Sequence, residues 1–227
     1  MRWNSFWDRQ ARSNNPSKQV GRIVRGKPAE PGVNKQIVEH ITRLLRLESQ
    51  HTLLDLCCGN GELSVLLARK CGHVVGVDFS AGQLAHAQKH LLTKPNLEFK
   101  LADVQSLQLQ QKFDRINLYF SFQYFVRNRD AENVLKGIFE HLKPGGWALL
   151  GDIPNAEKEH NYYQNISGLV RARCQSLLGR NPMGRFWNPQ SLSTLAERIG
   201  FMTRDLPEPT HLPYAHYRFD LLLTRPE

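Results

Sequence analysis

The chain has 227 residues, 41% of them hydrophobic, and a formal net charge of +9. That length suits one domain with a full core and at most an appended subdomain. No apolar run approaches the ~20 residues of a membrane-spanning helix, and the start, Met1 to Arg9, lacks the apolar stretch of a secretory signal, which argues against membrane and exported classes. Cys57, Cys58, Cys71 and Cys174 show no zinc-ligand spacing and read as reduced thiols of a cytoplasmic protein, with no metal expected.

Residues 1–46 hold ten Lys/Arg against three Asp/Glu, so most of the charge sits at the amino-terminal end. Residues 1–32 read as a basic arm or lid: Trp3, Phe6 and Trp7 at i, i+3, i+4 spacing suggest a short amphipathic helix, followed by a polar, Pro/Gly-punctuated stretch. Within it, Gln19-Val20-Gly21-Arg22 is either a solvated loop or one that closes over a ligand. Nucleic acid, an anionic membrane surface or a phosphorylated substrate would suit such an arm; so would folding back over its own domain. Residues 33–227 read as a single domain. Val33, Ile37, Ile41, Leu44 and Leu45 mark one face of a helix to about residue 47.

Strands and helices then alternate, the pattern of a parallel sheet covered on both faces. Strands are predicted near 52–57, 73–78, 97–102, 113–119 and 146–152, with helices near 61–70, 80–92 and 130–142. Pro144 cannot continue the third helix, and Gly145-Gly146 permit the turn into strand five. Residues 155–187 break the alternation as an insertion with a helix at about 161–178 and a turn-rich run from Gly179 to Gly184. Asn188-Pro189 then caps a helix to about Ile199, Gly200-Phe201 opens a sixth strand, and residues 216–223 form a seventh.

The informative stretch is Leu53 to Leu63. An apolar strand ends in Asp55, and a Gly59-x-Gly61 turn opens a helix, an arrangement that holds a nucleoside-type ligand against bare backbone. Asp78, at the end of the next strand, is placed to accept hydrogen bonds from both hydroxyls of a ribose. A dinucleotide fingerprint wants a third small residue in G-x-G-x-x-G/A; Ser64 is an imperfect match. Glu62 sets a negative charge where a pyrophosphate would lie, which favours a ligand with a positive centre.

On these residues the chain resembles the class I S-adenosylmethionine-dependent methyltransferases, the small-molecule, ubiquinone/menaquinone-biosynthesis-like group in particular. Asp55-Leu56-Cys57-Cys58-Gly59-Asn60-Gly61 is similar to that family's D-x-x-x-G-x-G loop around the methionine part of the cofactor. Asp78-Phe79-Ser80 resembles its ribose-holding acid with a neighbour beside the adenine, and Asp103-Val104 its adenine-amino segment. Leu142 to Gly146 resembles its turn into strand five. The resemblance implies a Rossmann-like, seven-stranded, mostly parallel sheet with helices on both faces, S-adenosyl-L-methionine as cofactor, and methyl transfer to a small-molecule acceptor, anionic or apolar. Tyr119, near the end of strand four, would face cofactor or acceptor.

The aromatic run Tyr119, Phe120, Phe122, Tyr124, Phe125 suits an apolar acceptor pocket or core packing. If a base is used, His160, Tyr162, Tyr163, His211, Tyr214 and His216 are the candidates by chemistry. Asp114 reads as a solvent-exposed strand start. Two other functions fit the pattern: an RNA methyltransferase whose arm tracks phosphates, and a catalytically silent cofactor-binding scaffold. The segment after strand four has no proline pair of the amino-methylating nucleic-acid enzymes, and no cysteine lies between Cys71 and Cys174 for cytosine-C5 chemistry. Both features weigh against nucleic acid.

Overall fold

The computed structural model describes residues 3–24, 26–91, 95–163, 165–177 and 181–227. The amino-terminal arm comprises α1 (Trp3–Gln10), α2 (Pro16–Gln19) and a hairpin of β1 (Ile23–Val24) with β2 (Lys27–Pro28). Asn15 caps α2, its side chain accepting from the Lys18 N–H at 3.0 Å. The arm folds back over the domain instead of standing in solvent. α3 (Pro31–Leu45) follows, starting two residues before the predicted helix and ending on a left-handed Arg46.

From there the order is β3 (Thr52–Leu56), α4 (Glu62–Leu67), β4 (His73–Asp78), α5 (Ala81–Leu91), β5 (Leu97–Leu101), β6 (Phe113–Tyr119), α6 (Asn128–His141) and β7 (Leu142–Pro154). The remaining elements are α7 (Glu159–Tyr163), α8 (Ile166–Leu177), α9 (Pro189–Glu197), β8 (Met202–Pro207) and β9 (Arg218–Thr224). One seven-stranded sheet runs β5-β4-β3-β6-β7-β9-β8; the first five strands are parallel and the β7–β9 and β9–β8 pairs antiparallel. The predicted Rossmann-like sheet is the one observed.

Alternation along the strands splits the core. Leu54, Leu56, Val75 and Val77 pack with Ile138 of α6 and Leu192 of α9 on one face, while Leu53 and Val74 pack with Ile41 and Leu45 of α3 and Leu67 of α4 on the other. Each is under one-tenth exposed, and burying one such side chain stabilises by about 1.5–3 kcal/mol.

Three local differences from the predicted elements have physical reasons. β7 begins four residues earlier than expected because Leu142 already pairs with Phe113; the register then jumps to Arg115–Trp147, and Lys143-Pro144-Gly145-Gly146 forms the bulge. The helix expected over 161–178 is two shorter ones, α7 and α8; the predicted turn residues Gly179 and Arg180 lie outside the described residues. Asp114 is half-buried, not a free strand start: it accepts from the Thr52 N–H (2.8 Å), the Thr52 hydroxyl (2.7 Å) and Lys143 Nζ (2.8 Å), stapling three strand starts together.

Candidate active site

Strand order reverses direction at β3: the chain moves outward through β4 and β5, then returns to β6 on the other side of β3. Such a switch point opens a crevice at the carboxyl ends of the strands. Here lies a cleft of about 1080 Å³, its open mouth included, lined by Asp55, Cys57, Cys58, Gly59, Asp78, Phe79, Asp103, Val104 and Tyr119 among others. Nine of the twelve residues predicted to hold a cofactor therefore meet there.

Asp55 is buried beneath the loop, where its carboxylate accepts from Ser64 Oγ (2.5 Å) and Asn117 Nδ2 (2.7 Å). Burial pushes its pKa up to about 6 against those two hydrogen bonds. Ser64 is thus the anchor of this acid, which explains its place in the fingerprint. Gly61 opens α4 at φ 78, and a Cβ there would stand 2.7 Å from Phe99 Cζ, so only glycine fits. Asp78 accepts from the Gly59 N–H and the Ser80 N–H, both at 2.8 Å, one on each oxygen. Asp103 caps the short turn Val104–Ser106 through the Gln105 N–H. Burial, with Asp78 beside them, holds the Cys57 and Cys58 thiols well above the ordinary range, as neutral groups without nucleophilic character.

Three predicted residues serve the site without lining it. Asn60 Nδ2 donates to the Pro16 carbonyl (3.1 Å) and Gln19 Oε1 (2.9 Å), Ser80 Oγ donates to Asp8 Oδ1 (2.6 Å), and Gly61 makes the turn. The first two are ties to the arm. Gln83 Nε2 adds a third by donating to the Gln19 carbonyl at 2.7 Å. So anchored, the arm puts Trp3, Trp7, Val20 and Arg22 into the cleft wall, with Trp3 and Trp7 rings 4.5 and 5.5 Å from Tyr124. The segment Gln19 to Arg22 closes over the cleft; Gln19 and Arg22 are buried.

Arg22 also revises the reading of Glu62. Its guanidinium donates to Asn34 Oδ1 at 2.5 Å and lies 3.8 Å from Glu62 Oε2, while Asn34 Nδ2 donates to the same carboxylate. Glu62 is paired and does not line the cleft; of the two charged partners, Arg22 is the one in its wall.

Tyr119, Phe120, Tyr124 and Phe125 complete the aromatic wall, whereas Phe122 turns into the core against Trp187. None of the base candidates lines the cleft. His160 and Tyr162 on α7, and His211 and His216 before β9, are exposed, and Tyr163 packs against Tyr162 and Phe186. Tyr214 donates its hydroxyl to the Ile23 carbonyl and so holds the hairpin. Tyr162 and Tyr163 pack with Phe186, and Tyr162 also with Tyr217, away from the cleft lining.

A buried polar network that the sequence reading missed sits behind Tyr119. It comprises Asp152, Glu208, Arg218, Asp220 and His40, each no more than 5% exposed. The Tyr119 hydroxyl donates to Glu208 Oε1 at 3.3 Å, Arg218 Nη1 pairs with Asp152 at 3.1 Å, and His40 Nε2 meets Asp220 Oδ2 at 2.6 Å. Three neighbouring strands also end or bend on non-glycine residues of positive φ: Cys57 (56°), Phe120 (65°) and Asp152 (59°).

Residues 53–146 match a family model described as a methyltransferase domain. The chain is 35% identical over 171 residues to a 2-phytyl-1,4-naphtoquinone methyltransferase from Thermosynechococcus vestitus, covering 69% of this chain and 75% of that protein. This chain belongs to the S-adenosylmethionine-dependent methyltransferases. The methyltransferase is also 24% identical to a ubiquinone biosynthesis O-methyltransferase from Hydrogenovibrio crunogenus, over 76% of this chain and 70% of the relative. Its fold matches the N-methyltransferase NodS from Bradyrhizobium japonicum, solved with S-adenosyl-L-homocysteine, at a TM-score of 0.66 and 13% identity, over 99% and 98% of the two chains. It transfers methyl from S-adenosylmethionine. Among the described residues no helix is long and apolar enough to cross a membrane.

The cleft of the methyltransferase fits that cofactor. Gln83 lines it and is more than nine-tenths buried, and its Oε1 finds no hydrogen-bond donor among the described residues, an acceptor left for a ligand. Acceptors at Asp55, Asp78 and Asp103 and a cation at Arg22 match a ligand with an ammonium, a ribose, an amino-purine and a carboxylate.

Proposed function

We propose that this methyltransferase acts on a reduced quinone, a hydroquinone with an apolar tail, and that the observation carrying this reading is the aromatic chamber of Trp3, Trp7, Tyr119, Phe120, Tyr124 and Phe125 in the wall of the cofactor cleft. Flat, largely apolar walls suit a planar ring, since aromatic pairs gain about 0.5–1.5 kcal/mol beyond burial. The relatives named for quinone methylation support the class. A quinone is itself an electrophile; only its reduced form is a nucleophile, so the hydroquinone is the reacting species.

When bound, the cofactor supplies an electrophilic methyl group. The chain's residues bind and orient. Asp78 would take the two ribose hydroxyls, with Phe79 and Val104 beside the adenine and Asp103 at its amino group. Asp55, Cys57, Cys58 and Gly59 would surround the methionine part, with Arg22 for its carboxylate. Residues 1–32 serve as the lid: Asn60, Ser80 and Gln83 hold it shut, which excludes water and orders the reacting groups, a contribution worth up to ~7–11 kcal/mol of barrier. Residues 155–187 flank the acceptor side. Four unpaired cysteines suit the reducing cytoplasm.

The test is transfer of labelled methyl from S-adenosylmethionine to chemically reduced prenyl-naphthoquinone, run beside total RNA, lipid and protein. Label in the reduced quinone alone, and none with the oxidised form, is the expected result. Label concentrated in RNA would sink the reading and favour a phosphate-tracking role for the basic arm.

A further inference from the structure

The network behind Tyr119 has more negative groups than its positive ones can answer. Asp152, Glu208 and Asp220 face Arg218, and Asp220 is already engaged by His40 and by the Asp152 N–H (2.9 Å). Arg218 Nη1 directs its hydrogen bond to the Asp152 carbonyl oxygen and meets the carboxylate as an ion pair, 3.1 Å from Oδ2. Among the described residues Asp152 Oδ2 and Glu208 Oε2 accept no hydrogen bond from an N–H or a hydroxyl, although both are buried. The two carboxyls are in hydrogen-bonding contact with each other. Two acceptors hold that contact only when one of them carries a proton.

Resting on the hydroquinone reading above, we propose that Tyr119 is the catalytic residue that takes the proton of the acceptor hydroxyl and that Glu208 with Asp152, acting through it, are positioning residues that store it. Tyr119 lines the cleft, and its hydroxyl already points its proton at Glu208 Oε1. The acceptor O–H proton moves to the Tyr119 oxygen as the Tyr119 proton moves to Glu208. The carboxyl pair goes from one shared proton to two and from a charge of −1 to 0, and the acceptor is left as an oxyanion with a free electron pair. No other group is oxidised or reduced. The specificity that follows is for acceptors carrying an ionisable ring hydroxyl.

The surroundings are arranged for such a store. Tyr119 lies across Gly151, the residue before Asp152, where a Cβ would stand only 2.2 Å from its ring. The charged or titratable groups facing the pair are Arg218 and Asp220 from β9, Tyr119 from β6, Arg22 from the arm, Tyr214 and Tyr217 from the loop before β9, and His40 of α3 through Asp220. Burial pushes Asp152 up to about 6 and Glu208 well above the usual carboxylate range. A pair poised this way keeps its shared proton to higher pH than ordinary carboxyls do and has a site for a second.

Infrared spectroscopy of the protein saturated with S-adenosylhomocysteine reads the shared proton directly. A carboxylic-acid C=O band should persist at neutral pH, where ordinary carboxyls are ionised, and should vanish in Glu208→Gln. In kinetics with the reduced quinone, Tyr119→Phe should lower kcat by about 10²-fold or more. Because Phe keeps the ring in the cleft wall, the variant's affinity for S-adenosylhomocysteine should fall by no more than about threefold, and the acid limb of the kcat profile, near pH 6 in the parent, should disappear. Absence of the acid band in the parent, or a Tyr119→Phe kcat within several-fold with the limb intact, overturns the relay. Should Glu208→Gln not fold, Tyr119→Phe and the parent spectrum decide alone. A parent protein that fails to bind S-adenosylhomocysteine, or methylates RNA only, would instead overturn the functional reading on which the relay rests.

Discussion

Replacing Asp78 by alanine separates the cofactor-holding role of the cleft from its folding. The carboxylate takes one backbone N–H on each oxygen at 2.8 Å and keeps its remaining lone pairs toward the cleft. Two ribose hydroxyls donating to it make two charge-assisted bonds, each worth about 1.5–3 kcal/mol. The lower figure for both, about 3 kcal/mol, corresponds to an affinity loss of roughly 10²-fold. Asp78→Asn keeps one acceptor oxygen and should lose about half of that free energy, roughly tenfold. Calorimetry with S-adenosylhomocysteine measures both variants, and circular dichroism melts report whether the Gly59 turn survives. A folded Asp78→Ala protein binding within about threefold of the parent would refute the ribose assignment and the geometry behind it.

Three other outcomes follow from the site. Burial raises the Asp55 pKa to about 6, so its ionised form, favoured by the cofactor's ammonium, is lost as pH falls through that value. S-adenosylhomocysteine affinity should drop below about pH 6, while the ligand-free protein gains stability over the same descent because its buried charge disappears; an affinity flat across that window would count against the contact. Asn60→Ala removes both the Pro16 and Gln19 ties and should loosen the lid by about 1–3 kcal/mol, seen as a roughly 10–100-fold faster cofactor release in stopped flow; an unchanged release rate would mean that the lid does not gate exit. Gly61→Ala forces a Cβ to 2.7 Å from Phe99 at a left-handed φ and should cost about 2–4 kcal/mol in denaturant melts; a neutral result would contradict the tight turn.

What could be read from the residue order was what periodicity carries. The five parallel strands and the Asp55-to-Gly61 and Asp78 signals are local patterns, and the sheet followed from them. The roof was illegible because its bonds join distant residues: Asn60 to Pro16, Gln83 to Gln19, Arg22 to Glu62. A polar side chain buried by such a tie looks the same in sequence as a solvated one, which is why Gln19 to Arg22 read either as a solvated loop or as one closing over a ligand, and Glu62 as a free charge. The histidines and tyrosines at 160–163 and 211–216 failed for the opposite reason, since reactive side-chain type says nothing about which way a loop folds. Asp152 and Glu208 carry no local signal in the sequence, and only three-dimensional packing sets them against each other.

Cys57, Phe120 and Asp152 each hold a backbone angle that a side chain disfavours, by roughly 1–2 kcal/mol apiece. Cys57 and Phe120 line the cleft, and Asp152 lies behind Tyr119, all on neighbouring strands. Thermal hardening of this protein is therefore easiest where it is least welcome. A selection for heat resistance alone would drift toward glycine at Cys57 and Phe120, relaxing the rim and loosening the aim of Tyr119 and the neighbouring loop, while the buried ion pair with Arg218 keeps Asp152 in place. Variants recovered that way should outlast the parent on heating and turn over more slowly, a trade between durability and rate written into two dihedral angles.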